Sequence, residues 1–197
     1  MNFDTHPIRF VQHLIARYGG GIRLSFSNYF YRPNSIFDER ISFWVDAHLV
    51  NDAWLISQLK ALPEGWELAF NSIIKDERSR THHIGLVDFA ENAGHEAVRS
   101  GVYRLLGESA LRGLSVYSSG RSYHGYINQL MLPKDWREFL GRLLLMNEIS
   151  AAPVVDSRWV GHRLVGGYCA LRWSMNTPWY RSMPNLVTKV ESAQHLD

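Results

Sequence analysis

The 197 residues contain a single cysteine, Cys169. That excludes an internal disulfide framework and every zinc site needing more than one thiolate, and a reducing compartment suits the chain; zinc held by His and carboxylates stays open at this point, although no zinc is expected. No apolar run approaches the ~18 residues that a bilayer span requires, and the opening MNFDTHPIRF lacks the basic-then-apolar layout of a signal peptide. The expectation is a cytoplasmic protein without a membrane partner. A strong charge of one sign is also missing: the formal net charge is only +2. Any contact with nucleic acid must therefore come from a local concentration of arginine and not from a global field. Internal repeats and low-complexity linkers are absent as well. What is present is enough apolar residue, 46% of the chain, for one good core.

The periodicities alternate in type along the chain. Ile8, Val11, Leu14, Ile15 and Tyr18 fall at helical spacing and are stopped by the glycines at 19–21. ISFWVDAHLV (41–50) alternates as a strand, NDAWLISQLKAL (51–62) opens on an Asn or Asp cap and follows a helical period, and WELAFNSII (66–74) alternates again. Beyond the charged loop KDERSR (75–80) the pattern reads strand HHIGLVDFA, helix GHEAVRSGVYRLLGESAL, strands LSVYSS and RSYHGYINQLM, helix KDWREFLGRLLLMN, then β-rich sequence from Val154. That order, β-α-β-β-α-β, is the split βαβ arrangement of ferredoxin-like and RRM-like α+β folds. The loop is the sharpest boundary. It divides an N-terminal α/β layer, 1–75, from an RRM-like core, 76–197, and with no linker between them one body of two parts is expected. The tail TKVESAQHLD reads as polar and partly disordered.

In a split βαβ unit the first and third strands are neighbours and the fourth flanks the first, so polar residues on them can meet. Asp88 follows the apolar run IGLV, Ser122 and His124 share a face by two-residue spacing, and Asp156 follows APVV. Singly, each has a plain structural role: an Asp at a strand end caps a helix or starts a turn, and a lone histidine satisfies a core. Together, two carboxylates after apolar runs suit Mg²⁺ or Mn²⁺, which take hard oxygen ligands and leave positions for phosphate oxygens. His124 and Arg121 would supply donors to a polyphosphate.

The stretch VDSRWVGHRLVGGYCALRWSMN sets Arg158, His162, Arg163 and Arg172 among Gly161, Gly166 and Gly167. Arginines among glycines and aromatics read as an anion site with stacking, or else as a hairpin with exposed arginines.

These residues resemble the three motifs of the archaeo-eukaryotic primase superfamily, the primase-polymerases. LVDFAE resembles the apolar strand ending in a carboxylate pair, SGRSYH the serine and histidine one residue apart, and VVD the hydrophobe followed by Asp. Downstream, ALRWSMN resembles the last element through Arg172, Ser174 and Asn176, and the likeness spans roughly residues 66–180. The resemblance implies divalent-metal nucleotidyl transfer. Asp88, Asp156 and Glu91 would be metal ligands, with Asp88, Asp156 and His124 catalytic. Arg121, Ser122, His124, Arg172 and Asn176 would bind a nucleoside triphosphate, and Arg158, His162 and Arg163 single-stranded or primed DNA, or RNA. It departs from the pattern at Ala90, where the second carboxylate of the first motif would stand, with Glu91 next.

Two other readings stay open. One is a catalytically degenerate primase-fold module that only binds nucleic acid, with Tyr117, Tyr123, Tyr126, Trp159 and Trp173 as candidate stacking residues. The other, a nicking replication initiator, needs two histidines one residue apart, whereas His82 and His83 are adjacent. It also needs a tyrosine on a later helix, and 134–147 has none.

Overall fold

The computed structural model describes residues 3–32, 35, 37, 39–91 and 93–189. Helix α1 (Ile8–Tyr18) buries Ile8, Val11 and Leu14 along one stripe and stops at Gly19, whose positive φ turns its N–H onto the carbonyl of Ile15. Strands β1 (Arg23–Phe30) and β2 (Arg40–Asp46) pair antiparallel, and helix α2 (Asp52–Ala61) begins where the Asn51 side chain accepts from the Trp54 amide. Strand β1 lies in a stretch that the alternation reading passes over, although Leu24 and Phe26 are fully buried.

Strand β3 (Trp66–Lys75) leads through the charged loop into β4 (Thr81–Asp88). Asp76 closes that turn by accepting from the amides of Arg78 and Arg80. Helix α3 (His95–Arg112), strands β5 (Leu114–Ser118) and β6 (Tyr123–Met131) and helix α4 (Pro133–Leu144) follow in the expected order. In α4 the buried Trp136, Phe139, Leu140 and Leu143 stand at helical spacing after a proline in the first turn.

The segment from Val154 departs from its β-rich reading. Asp156 caps a helix, α5 (Ser157–Gly166), by accepting from the Trp159 amide at 2.9 Å, and Gly167 at φ 77° closes it onto Arg163. The glycine pair read as allowing close approach to an anion is thus the end of a helix. Strands β7 (Ala170–Arg172) and β8 (Asn185–Lys189) complete the sheet. Of the tail, Thr188 and Lys189 close β8 and the rest lies outside the described residues.

The strands run β2-β1-β3-β4-β6-β5-β8, with β7 on β3. The fold is α+β. The first and third strands of the split unit, β4 and β6, are neighbours as the order requires, with Asp88 opposite His124 and Leu86 opposite Tyr126. The other flank of β4 is held by β3, through Ile73–Lys75; ahead of that stretch β7 joins the same edge of β3 at Ala69–Asn71. Helix α4 covers the opposite face of β4, where Trp136 stacks on His83 and Phe139 nears Gly85. The face of Asp88 and His124 is thereby left clear of α4. No helix among the described residues is long and apolar enough to cross a membrane.

Candidate functional site

Two local structures meet at the end of β4. The chain leaves Asp88 through Phe89, which forms a bridge with Val155, and the Asp156 amide donates to the Asp88 carbonyl at 3.0 Å. The amide of Ala90 donates to Val154 at 2.9 Å. Main-chain pairing therefore places both aspartates side by side, one ending a strand and the other capping a helix.

Their proximity has an electrostatic signature. Burial, and then the neighbouring Asp156 carboxylate, push the Asp88 carboxyl up to about 8, against a smaller opposing pull from Arg172 and Arg163. His124 Nε2 lies 3.8 Å from Asp88 Oδ1, beyond hydrogen-bond range. Burial, then Arg172, push that imidazole down to about 3, so it is neutral. Its Nδ1 is buried and has no hydrogen-bond partner among the described residues.

The serine turn before β6 is closed internally. The Ser119 amide donates to the Ser122 carbonyl at 2.9 Å, and the two hydroxyls lie 3.0 Å apart. Gly120, at φ 103°, makes the reversal with its Cα against Ser182, where a side chain would be both strained and crowded. Arg121 is left exposed at the tip.

These elements line one cavity of about 410 Å³. Of the residues given metal, catalytic, nucleotide or nucleic-acid roles by the resemblance, all but Asn176 border it: Asp88, Glu91, Arg121, Ser122, His124, Asp156, Arg158, His162, Arg163 and Arg172. Of the candidate stacking residues Trp159 borders it, while Tyr117, Tyr123, Tyr126 and Trp173 do not. The side-chain amide of Asn176 donates to the carbonyls of Pro63 and Trp66, and its backbone amide to Glu67, so it fastens the turn after β7 to the start of β3. Its side-chain donors are thus engaged with the main chain outside the cavity. Arg172 borders the cavity but is buried, with its Nη atoms donating to the carbonyls of Ser119 and Ser174 and its guanidinium 3.9 Å from the Tyr180 ring centre. It ties the serine turn to the segment after β7. Arg158 reaches the carbonyl of Ser35 at 2.8 Å.

Three contributions escaped the sequence reading. Tyr29, Tyr31, Arg32 and Arg40, from the N-terminal layer, form the far wall. Tyr29 and Tyr180 join across it through hydroxyls 3.1 Å apart. Behind Arg172, the fully buried Glu67 accepts from the Ser174 and Thr177 hydroxyls and the Asn176 and Thr177 amides. The alternation of β1 could have flagged Tyr29; Glu67 reads only as a polar residue in a strand.

Among the described residues, no group of three or more His, Cys, Asp or Glu side chains is placed to hold a metal ion. Glu91 borders the cavity, since the chain turns after Ala90, but it does not complete such a group. The donors that remain are two adjacent carboxyls, hard oxygen ligands of the type that Mg²⁺ or Mn²⁺ takes, and an ion there would have to displace the proton that burial and then Asp156 keep on Asp88.

A family model described as archaeo-eukaryotic primase 1D-like matches residues 47–185. The chain belongs to that family. No curated protein and no solved structure gives a significant match. The molecule is accordingly a primase-fold, nucleotidyltransferase-like module. The primase match takes in every element from α2 to β7 and leaves out β1 and β2, so the Tyr29 and Arg40 wall is added to the family core from outside it.

Proposed function

We propose that the protein is a primase-polymerase type nucleotidyltransferase. It binds a nucleoside triphosphate in the cavity, beside single-stranded or primed nucleic acid, and starts or extends a strand with Mg²⁺ or Mn²⁺. The observation that carries this reading is the main-chain pairing that sets Asp88 against Asp156, opposite His124 and the serine turn.

In this reading Asp88 and Asp156 hold the ion, which when bound lowers the charge barrier between the attacking 3′ oxygen and the α-phosphate and steadies the departing pyrophosphate. Arg121 and Ser122 grip phosphate oxygens, and the neutral His124 supplies a hydrogen bond without adding charge beside the carboxylates. Arg172 acts behind them by fixing the serine turn. Arg158 and His162, one turn apart on α5, face the nucleic acid, and the buried Arg163 adds positive charge near Asp88 from the cavity wall. A second reading has its own observation: with Ala90 in the first motif and no third ligand in place, the fold would serve as a nucleic-acid-binding module without turnover.

Incorporation of labelled nucleotide on single-stranded and primed DNA, with Mn²⁺ or Mg²⁺, decides between them. Metal-dependent synthesis that disappears in both Asp88→Asn and Asp156→Asn is the expected result. No synthesis under any metal, with retention of single strands in EDTA, would overturn the enzyme in favour of the module.

A further inference from the structure

Strand β2 ends the sheet, and among the described residues nothing pairs with its outer side. The amide of Phe30 donates to Glu39 and that of Ala47 to Ile22, which fixes the phase of the β1–β2 ladder. Ile41, Phe43 and Val45 therefore turn their main-chain groups toward β1, and the alternate residues turn theirs outward. An edge of this kind is a template for another strand unless something blunts it. The sequence RISFWVD holds no proline or lysine, and its ladder with β1 runs from Arg40 to Asp46 without a bulge. Ile41 is 63% exposed and Trp44 36%.

The strand is also complementary to itself. A second copy laid antiparallel about Phe43 sets Arg40 opposite Asp46 and Ser42 opposite Trp44, so each outward-facing residue meets an outward-facing residue. The same register pairs Ile41 with Val45 and Phe43 with Phe43 on the other face of the strand. Opposite charges meet at both ends and apolar side chains in the middle. Shifting the register by two residues breaks the charge match, and shifting it by one leaves outward donors facing side chains.

We propose that the protein forms a two-fold dimer through β2, in which the two sheets join edge to edge. The interface is isologous, as a self-complementary strand requires. Asp46, 3.3 Å from Arg23 of its own chain, stands opposite the second copy's Arg40, whose guanidinium in the single chain reaches back to donate to Ser27 and lies 4.4 Å from the Tyr29 ring centre, so the joined edge requires it to turn outward. Arg40 also borders the cavity, so the two cavities open on the same side of the joined sheet, flanking the seam.

The test is the molar mass of the intact protein by sedimentation equilibrium over a wide concentration range, for wild type, Ile41→Lys and Phe43→Cys. Ile41 is exposed in the single chain, so the lysine leaves the fold alone and puts like charges into the seam. At the two-fold axis the Phe43 pair lies at a non-hydrogen-bonded position with Cα atoms about 4.5 Å apart, within disulfide reach. Cys169 is buried and does not compete. The expected results are a wild-type dimer, a monomer for I41K, and a covalent dimer for F43C on mild oxidation. A wild-type monomer throughout the range, a dimer unaffected by I41K, or an F43C protein that dimerises without cross-linking would each overturn the proposal.

Discussion

The Asp156 amide donates to the Asp88 carbonyl at 3.0 Å, so the two carboxylates are held together by the main chain on which they stand. Burial, and then the like charge of Asp156, move the Asp88 carboxyl up to about 8. The bridge between Phe89 and Val155, buried on both sides, supplies the free energy that keeps the pair in place.

A pH dependence of stability follows for the protein in EDTA. Asp88, with its folded value near 8 and an ordinary value of 3.8, is protonated in the folded state where the unfolded chain has released the proton. Stability therefore falls as pH rises through that window. His6 and His83, pushed down to about 4 by burial, and His124, down to about 3, act in the opposite sense. They make stability rise with pH until their ordinary value of 6.5 is passed. The expected curve rises from pH 4 to about 6.5, where the three histidines outweigh Asp88 and the slope reaches up to about 2.7 kcal/mol per pH unit, and falls from there to about 8 with a slope of at most about 1.4 kcal/mol per pH unit. Chemical denaturation at intervals across this range measures it. Asp88→Asn removes the fall and leaves the rise; a fall that persists in the variant would place its source elsewhere.

Arg172→Ala deprives two buried carbonyls, those of Ser119 and Ser174, of their donor and leaves the Tyr180 ring without its cation. A loss of about 2 to 4 kcal/mol is expected, and Arg172→Lys recovers only part of it, because one ammonium cannot replace the planar fork at both carbonyls. Hydrogen exchange at Ser119, whose amide closes the serine turn, should accelerate in both variants more than exchange in β1. Equal acceleration in both places would mean that Arg172 holds the whole fold and not this turn.

Much of the site was legible before the fold was known, and the reason is local. The apolar run before Asp88 and the two-residue spacing of Ser122 and His124 are strand properties, and strand pairing does the rest. What lay outside that logic was missed. Asp156 was read at the mouth of a strand, yet an Asp followed by serine is also a helix cap, and capping won because the turns of α5 bury Val160 and Arg163. Asn176 was carried in by its motif, but its partners are Pro63 and Trp66, more than a hundred residues away, and no spacing announces them. The Tyr29 wall belongs to a strand whose contribution to the cavity depends on sheet order.

Glu67 provides the clearest case of a residue that burial makes indispensable. The fully buried Glu67 accepts from two amides and two hydroxyls, and removing its oxygens strands those donors. Glu67→Gln keeps the shape but turns one acceptor into a donor facing donors, and a loss of about 2 kcal/mol is expected. Glu67→Ala should cost more, on the order of 3 to 5 kcal/mol, as when one partner of a buried charged network is removed. The denaturation midpoint measures both, beside Glu138→Ala, an exposed carboxylate on α4, as the control that should change little. A Glu67→Gln protein as stable as wild type would show that the turn at 174–177 does not depend on this anchor.

Asp156 has two jobs that substitution can separate. As a cap it accepts from the Trp159 amide at 2.9 Å, and as a charge it raises the Asp88 carboxyl. Asparagine caps a helix about as well as aspartate, whereas alanine forfeits about 1 kcal/mol. In EDTA at pH 7, Asp156→Asn should therefore keep α5 intact and be at least as stable as wild type, since it relieves the repulsion that Asp88 feels. Asp156→Ala gains the same relief but loses the cap, so it should fall below Asp156→Asn by about 1 kcal/mol. Both should lower the Asp88 carboxyl toward its ordinary range, which a side-chain carboxyl titration by NMR can follow. If Asp156→Asn left that titration where it is in wild type, burial alone would account for the shift, and the two carboxylates would not be coupled closely enough to share one cation.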